Sequence, residues 1–495
     1  MQRPLCLEEH LGLPLPETTH SVSVAMPLWQ HVIAYEEGDT SITCRFRSGY
    51  PRFFCHPLVT ALFAEAEKQF AKPGESALVF PNEHAAQRAS LYIMEKTGSA
   101  GVSPALRTVS LPNGHGLTAI LFPSAALVMA KKYWRFSGEI VSSRQAEAFL
   151  QGKPIAPIEG IAAIAALKKQ LAGLSGQHEE DIFLFPSGMA AIAAVQRAIV
   201  GAGPGLATVQ VEFPYVDALK VQQEFGANVI DIHPGETSTA SQLSSLVAER
   251  KLAAVYTEVP SNPLLRCANL PAVSDILSPS GTPLVVDDTI GTVFNVNVFP
   301  YADLVTSSLT KFFSGEGNVI AGCAIVSRNR PRAAEWRERL RAEADTGLSP
   351  LDALVLERNA RDFPRRIARI NATTLALCEF LRTHPAVESV FYPAFTCRSE
   401  YDAVRRPTGG YSGLFSLILR NGPTRAPLFY DRIQISKGPS LGTNFTLACP
   451  FTLLAHYDEL DWAESRGVDR NLIRVSVGLE EPDDLIARFR DALEG

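Results

Sequence analysis

The chain has 495 residues, 46% of them hydrophobic and 20% charged, with a formal net charge of -6 at pH 7. That length supports two or three packed units. A mildly acidic chain without a long basic run is poorly suited to nucleic acid or an anionic membrane, so any phosphate site must be a local cluster of donors.

The first ten residues, Met1 to His10, hold no uninterrupted apolar stretch like that of a secretory signal, and a soluble cytoplasmic protein is expected. Residues 1–130 read as an N-terminal extension with helices over 57–71 and 83–96. The most apolar stretch, 117–130, is too short for a membrane span and contains Pro123; it reads as a buried strand and turn. From 131 to 330, strands expected at 182–185, 207–211, 228–232, 253–258, 283–287 and 304–307 alternate with helices at 189–200, 216–225 and 240–250. Such alternation predicts an α/β fold with a mainly parallel sheet covered by helices on both faces. Residues 331–495 open on charged helices over 332–346 and 365–383, then alternate strands (413–419, 472–477) with helices (457–466, 483–493). They read as a smaller C-terminal α/β domain. The eight cysteines form no C-x-x-C pair and read as reduced thiols. The ten histidines show no ligand spacing, so no metal site is expected.

Four segments of the middle region carry chemistry when taken together. Lys311 lies in T-S-S-L-T-K-F-F-S-G (306–315), just after an apolar strand, with the hydroxyls of Ser308 and Thr310 beside it. By itself this is a lysine in a polar loop. Asp287 ends the apolar run L-V-V-D, at the sheet edge where open α/β sheets bind ligands; a turn or capping acid is the plainer account, and Asp288 fits that too. In F-P-S-G-M-A-A (185–191) a strand ends and a helix begins, so the N–H groups of Gly188 and Met189 face whatever lies there. Alone, that is a strand-to-helix turn capped by Ser187. Tyr215 opens the next such connection and offers a stacking ring, or else a core tyrosine. A lysine, a strand-end carboxylate, a phosphate cradle and an aromatic ring are what a pyridoxal phosphate site requires.

From about Tyr133 to the C-terminus, roughly three quarters of the chain, these segments resemble the cystathionine gamma-synthase family, the Cys/Met-metabolism enzymes of fold type I that use pyridoxal 5'-phosphate. E-V-P-S-N-P-L-L (258–265) looks like the family's E-x-P-S-N-P-x-L, and V-D-D-T (286–289) is similar to its V-D-N-T. The resemblance implies Lys311 as the Schiff-base lysine and Asp287 as the partner of the pyridine nitrogen, with Tyr215 as the third catalytic group and stacking ring. Gly188, Met189, Ser308 and Thr310 are implied as phosphate ligands and Asn262 as a neighbour of the cofactor's phenolic oxygen. Tyr133-Trp134-Arg135 looks like the Y-x-R whose Tyr133 and Arg135 would reach a neighbouring subunit's phosphate, implying a homodimer or homotetramer. Ser440 in S-L-G, and Arg474 in L-I-R-V-S-V-G, resemble the substrate strand and the arginine that grips the substrate α-carboxylate.

The chain departs from that pattern in three places. No R-x-G-N-P-T follows Arg135; about 25 extra residues separate Arg135 from Gly188; and G-E-G-N (315–318) stands where G-H-x-D is usual. Together with the leader G-Y-P-R-F-F (49–54), these features look like the fungal branch. The implied activity is γ-substitution on O-acetyl- or O-succinyl-homoserine, with cysteine as the leading nucleophile and cystathionine as product. Alternatives are a specialised paralogue using another sulfur, carbon or nitrogen nucleophile, a γ- or β-lyase, and a non-catalytic assembly subunit. Lys220 is a candidate for an anionic second substrate, or a solvated helix lysine.

Overall fold

The computed structural model describes residues 3–50, 53–98, 105–112, 116–233 and 238–495. Its centre is a seven-stranded sheet of β4 (Ile182–Phe185), β5 (Ala207–Val211), β6 (Val229–Ile232), β7 (Leu252–Glu258), β8 (Leu284–Asp287), β9 (Leu304–Ser307) and β10 (Gly322–Val326), in the order β4-β10-β9-β8-β7-β5-β6. The neighbours from β9 to β6 pair in parallel. This bears out the mainly parallel α/β reading. Strands such as β7 are buried at every position, because helices cover both faces. The strand β10 is absent from the sequence expectation. It runs antiparallel to both β4 and β9. Two reversals leave β4 pointing the same way as β9, so the carboxyl end of β4 joins those of β7, β8 and β9 on one edge.

A three-stranded antiparallel sheet of β1 (Glu75–Phe80), β2 (Arg107–Ser110) and β3 (Thr118–Pro123) lies N-terminal to this core. The stretch 117–130 divides: β3 is the buried strand expected, but a helix, Leu127–Ser137, begins where only a turn was foreseen. A third, five-stranded sheet is built from β11 (Val387–Phe391), β12 (Leu414–Leu419), β13 (Ser436–Lys437), β14 (Leu447–Pro450) and β15 (Ile473–Ser476), ordered β11-β12-β15-β14-β13.

Packing divides the chain differently from the expected boundaries at 130 and 330. Leader residues Leu11, Val24, Met26, Trp29 and Val32 share a core with Leu377, Phe415, Tyr430 and Phe489 of the C-terminal unit. The unit around β1–β3 instead takes in Trp134, Val141, Ala148 and Ile155, so it runs past residue 150. Trp336 and Leu340 pack on the large sheet, as do Leu348 and Leu356. The long helix Phe363–Thr383 spans the C-terminal boundary. Phe363, Ile367 and Ile370 face the large core, whereas Leu377 and Leu381 face the smaller one. Charge and texture along the sequence could not reveal this, because a buried helix face does not say which unit it packs against. Among the described residues no helix is long and apolar enough to cross a membrane.

Candidate active site

One cavity opens at the carboxyl edge of the large sheet. Its lining includes Gly188, Met189, Tyr215, Asn262, Asp287, Ser308, Thr310, Lys311 and Arg474. These residues are scattered over nearly 290 positions of sequence; all but Arg474 follow or end strands that finish on the same edge, and Arg474 comes from β15 of the five-stranded sheet.

The cradle is set by close packing. The Ser187 hydroxyl caps the helix Gly188–Ala202 by accepting from the Ala190 N–H at 3.0 Å, and donates to the Gly138 carbonyl at 2.8 Å. A Cβ on Gly188 would sit 2.8 Å from the Ser308 Cβ, so only glycine lets the helix N-terminus and the Ser308 loop approach this closely. Unpaired N–H groups of the first helical turn and the Ser308 hydroxyl thus converge on one spot, a donor set that fits a phosphate. Thr310 is different. Its hydroxyl donates to the Ala321 carbonyl at 3.2 Å and accepts from the Ala321 N–H at 3.0 Å. In this arrangement Thr310 braces the Lys311 loop against β10 rather than offering its proton to a ligand.

Asp287 ends β8, deep in the sheet edge. Oδ1 accepts from the Thr289 N–H at 2.9 Å and Oδ2 from the Thr306 hydroxyl at 3.0 Å. Burial pushes its carboxyl above the usual range, and the Thr289 and Thr306 donors oppose that shift. A protonated pyridine nitrogen suits such a carboxylate, since it supplies the opposite charge that burial calls for. Its neighbour in register is Glu258 at the end of β7. Glu258 also opens the E-V-P-S-N-P-L-L segment. Its Oε1 accepts the Tyr215 N–H at 2.5 Å and its Oε2 the Asn262 N–H at 3.2 Å. One buried carboxyl thereby fixes the two loops that carry Tyr215 and Asn262. The signal for it was available: like Asp287, it is an acid that closes an apolar strand.

The Tyr215 hydroxyl donates to Asp217 Oδ2 at 3.0 Å. Lys311 Nζ donates to the Ser440 hydroxyl at 3.2 Å. Arg474, 5% exposed on β15, donates to Asn262 Oδ1 at 3.2 Å and to the carbonyls of Pro439 and Ser440 at 3.1 Å, with its guanidinium 4.7 Å from the Phe451 ring. Its fork is oriented before any carboxylate arrives.

Tyr133 and Arg135 stand apart from these residues. Tyr133 is buried in the core of the N-terminal unit, and its hydroxyl donates to Glu139 Oε2 at 2.8 Å. Arg135 pairs with the fully buried Asp217 at 3.2 Å. Neither lines this cavity. Tyr50 does line it, and Tyr50-Pro51-Arg52 has the same Y-x-R spacing, a signal missed in the leader; Arg52 lies outside the described residues. Lys220 also stays outside, 3.8 Å from Glu459.

The fold and the site define an α/β enzyme built around a phosphate-bearing cofactor. The chain belongs to the Cys/Met metabolism PLP-dependent enzymes, whose family model matches residues 161–494; a fungal trans-sulfuration enzyme N-terminal domain matches 58–142. Its cofactor is pyridoxal phosphate. It is similar to cystathionine gamma-synthase of Neurospora crassa, at 34% identity over 98% of both chains. It is also similar to L-2-amino-4-chloropent-4-enoate dechlorinase/desaturase of Streptantibioticus cattleyicolor, at 33% over 97% of this chain and 98% of that one. The crystal structure of a cystathionine gamma synthase from Xanthomonas oryzae pv. oryzae in complex with cystathionine shares the fold, with a TM-score of 0.59 and 24% identity over 66% of this chain and 84% of that one.

Proposed function

We propose that the protein catalyses γ-substitution on an O-acyl-homoserine, O-acetyl or O-succinyl, with cysteine as nucleophile and cystathionine as product. The observation that supports it best is the meeting of Lys311, Asp287, the Gly188 cradle and Arg474 in one cavity. Gly188, Met189 and Ser308 would hold the cofactor phosphate, Asp287 the pyridine nitrogen, Tyr215 the ring face and Asn262 the phenolic edge. Bound there, pyridoxal phosphate supplies an electron sink for charge that develops at the substrate Cα. Arg474 grips the α-carboxylate and so fixes which Cα bond faces Lys311. The Lys311 amine takes the Cα proton and then moves a proton at Cβ, which sets up departure of the Cγ substituent. Ser440, 3.2 Å from Nζ, orients that amine between proton transfers. A homodimer or homotetramer and a cytoplasmic location complete the reading.

A specialised lyase or desaturase is the second reading. The match to the Streptantibioticus enzyme spans 503 positions, against 610 for the Neurospora enzyme, so this chain of 495 residues aligns to the former with far fewer gaps. Product identification by mass spectrometry across thiol, amine and carbon nucleophiles tests both. Cystathionine from O-acetylhomoserine and cysteine is expected. Ketobutyrate released at the same rate with or without cysteine would assign the enzyme to elimination.

A further inference from the structure

The turn that carries Lys311 is held from outside by one guanidinium. Within the turn the Lys311 carbonyl accepts the Gly315 N–H at 2.8 Å and the Leu309 carbonyl accepts the Ser314 N–H at 3.0 Å. Arg366, 4% exposed on the helix Phe363–Thr383, donates to the carbonyls that follow the lysine: Phe312 at 3.3 Å, Phe313 at 2.9 Å and Ser314 at 3.2 Å. Its Nε donates to Asp362 Oδ1 at 2.7 Å and its Nη2 also reaches the Asn359 carbonyl at 3.0 Å, which fixes the fork on its own helix and on the one before it. Nη1 donates in addition to Asn444 Oδ1 at 3.0 Å. Asn444 closes the segment that begins at Ser440, and its own N–H donates to the Gly315 carbonyl at 2.6 Å. Between these points the two backbones touch: a Cβ on Gly442 would overlap the Phe312 nitrogen and lie 2.9 Å from the Lys311 Cα. Gly315, with φ of +73°, is the matching concession on the other side, since a Cβ there would run into the Arg366 guanidinium.

We infer that Arg366 is a positioning residue for Lys311: it ties the lysine's turn to the Ser440–Asn444 segment and so sets where the lysine amine stands against the substrate Cα. The inference rests on reading Lys311 as the group that moves protons and Arg474 as the grip on the α-carboxylate. Arg474 donates to the carbonyls of Pro439 and Ser440, so the carboxylate end of the substrate is referenced to that same segment. One guanidinium therefore governs the distance between the two ends of the reaction, and a displacement of about 1 Å between them is enough to cost about a hundredfold in rate. A lysine at position 366 would keep the charge but has no planar fork to bridge three carbonyls and an amide oxygen.

The test follows exchange of the Cα proton of L-homoserine for solvent deuterium, which needs Lys311 but neither an acyl leaving group nor a nucleophile. Arg366→Lys and Asn444→Ala are compared with the wild type, all loaded with pyridoxal phosphate. Asn444→Ala cuts the link to the Ser440 segment and leaves Arg366 on its three carbonyls, so it decides the matter should Arg366→Lys fail to fold. The exchange rate at saturation should fall at least about tenfold, with the half-saturating concentration changed less than about threefold, because Arg474 is untouched. The pH at which the visible absorbance of the loaded enzyme changes should also move by at least about half a unit, because the Lys311 nitrogen is held in altered surroundings. A merely structural role would lower the melting temperature and leave both readings at their wild-type values. Wild-type exchange and titration in Asn444→Ala, or a raised half-saturating concentration with an unchanged rate, would overturn the inference. The reading beneath it fails differently: a borohydride adduct on a lysine other than Lys311 removes both, whereas exchange without cystathionine formation removes only the proposed reaction.

Discussion

Lys311 and Arg474 come from different units and meet at Ser440, whose hydroxyl accepts from the lysine and whose carbonyl accepts from the arginine. Each makes a separate prediction. Borohydride reduction of the loaded enzyme should leave a pyridoxyl adduct on the peptide carrying Lys311; an adduct on another lysine would remove it from its role. Arg474→Ala should raise substrate KM by about 30-fold or more, matching the roughly 2 kcal/mol or greater cost of truncating a buried, hydrogen-bonded charge. The cofactor absorbance should persist, because Arg474 is assigned to the substrate. The residue types were legible from sequence, since a lysine and an acid after apolar strands carry a recognisable pattern. The setting of Tyr133 was not legible, because a Y-x-R triplet says nothing about which side chains point inward. Only the packing of Tyr133 against Phe80 and Tyr92 decides that.

At the scale of elements, the cradle depends on two glycines in the same junction. A Cβ on Gly322 would lie 2.3 Å from the Ser187 carbonyl oxygen, a backbone atom that cannot move aside. Gly322→Ala should therefore cost about 2 kcal/mol or more, read as a lower urea midpoint. Gly188→Ala meets the side chain of Ser308 instead. The fold should survive, while affinity for pyridoxal phosphate falls by about tenfold or more, measured by equilibrium dialysis. Most strands and helices around this junction follow from periodicity; Val216–Phe225 matches its expected bounds. The exception, β10, begins at Gly322 as five buried residues (G-C-A-I-V), a run too short and too apolar to show a period.

At the scale of the whole molecule, the leader is docked to the C-terminal unit by Lys437, which is fully buried. Its ammonium donates to the carbonyls of Pro27 at 3.0 Å, Asp431 at 2.9 Å and Cys6 at 3.4 Å, while the Tyr430 hydroxyl donates to the Met26 carbonyl at 2.8 Å. Lys437→Met should leave those carbonyls short of a donor, cost about 2 kcal/mol, and speed proteolysis within residues 3–50. Burial pushes the Lys437 amine down from the ordinary 10.5 to about 8. Between those values the unfolded chain holds a proton that the folded chain has released, so stability should rise with pH across about 8 to 10.5, by at most about 3 kcal/mol. The check is denaturant unfolding of wild type and Lys437→Met in parallel; the rise should vanish in the variant.

By itself the sequence determined the α/β class and the family, and it pointed to the lysine, acid, glycine and arginine that meet in the cavity, because their segments, each weak alone, form one spaced set of motifs. The tertiary structure decided what depends on long-range packing. It put Tyr50 and Val22 at the cavity and held Tyr133 and Arg135 away from it. It made Glu258 a clamp on two loops, and it attached the leader to a unit more than 350 residues further along the chain. Hydrogen bonds and buried contacts between distant segments settle those matters, and no local pattern along the chain encodes them.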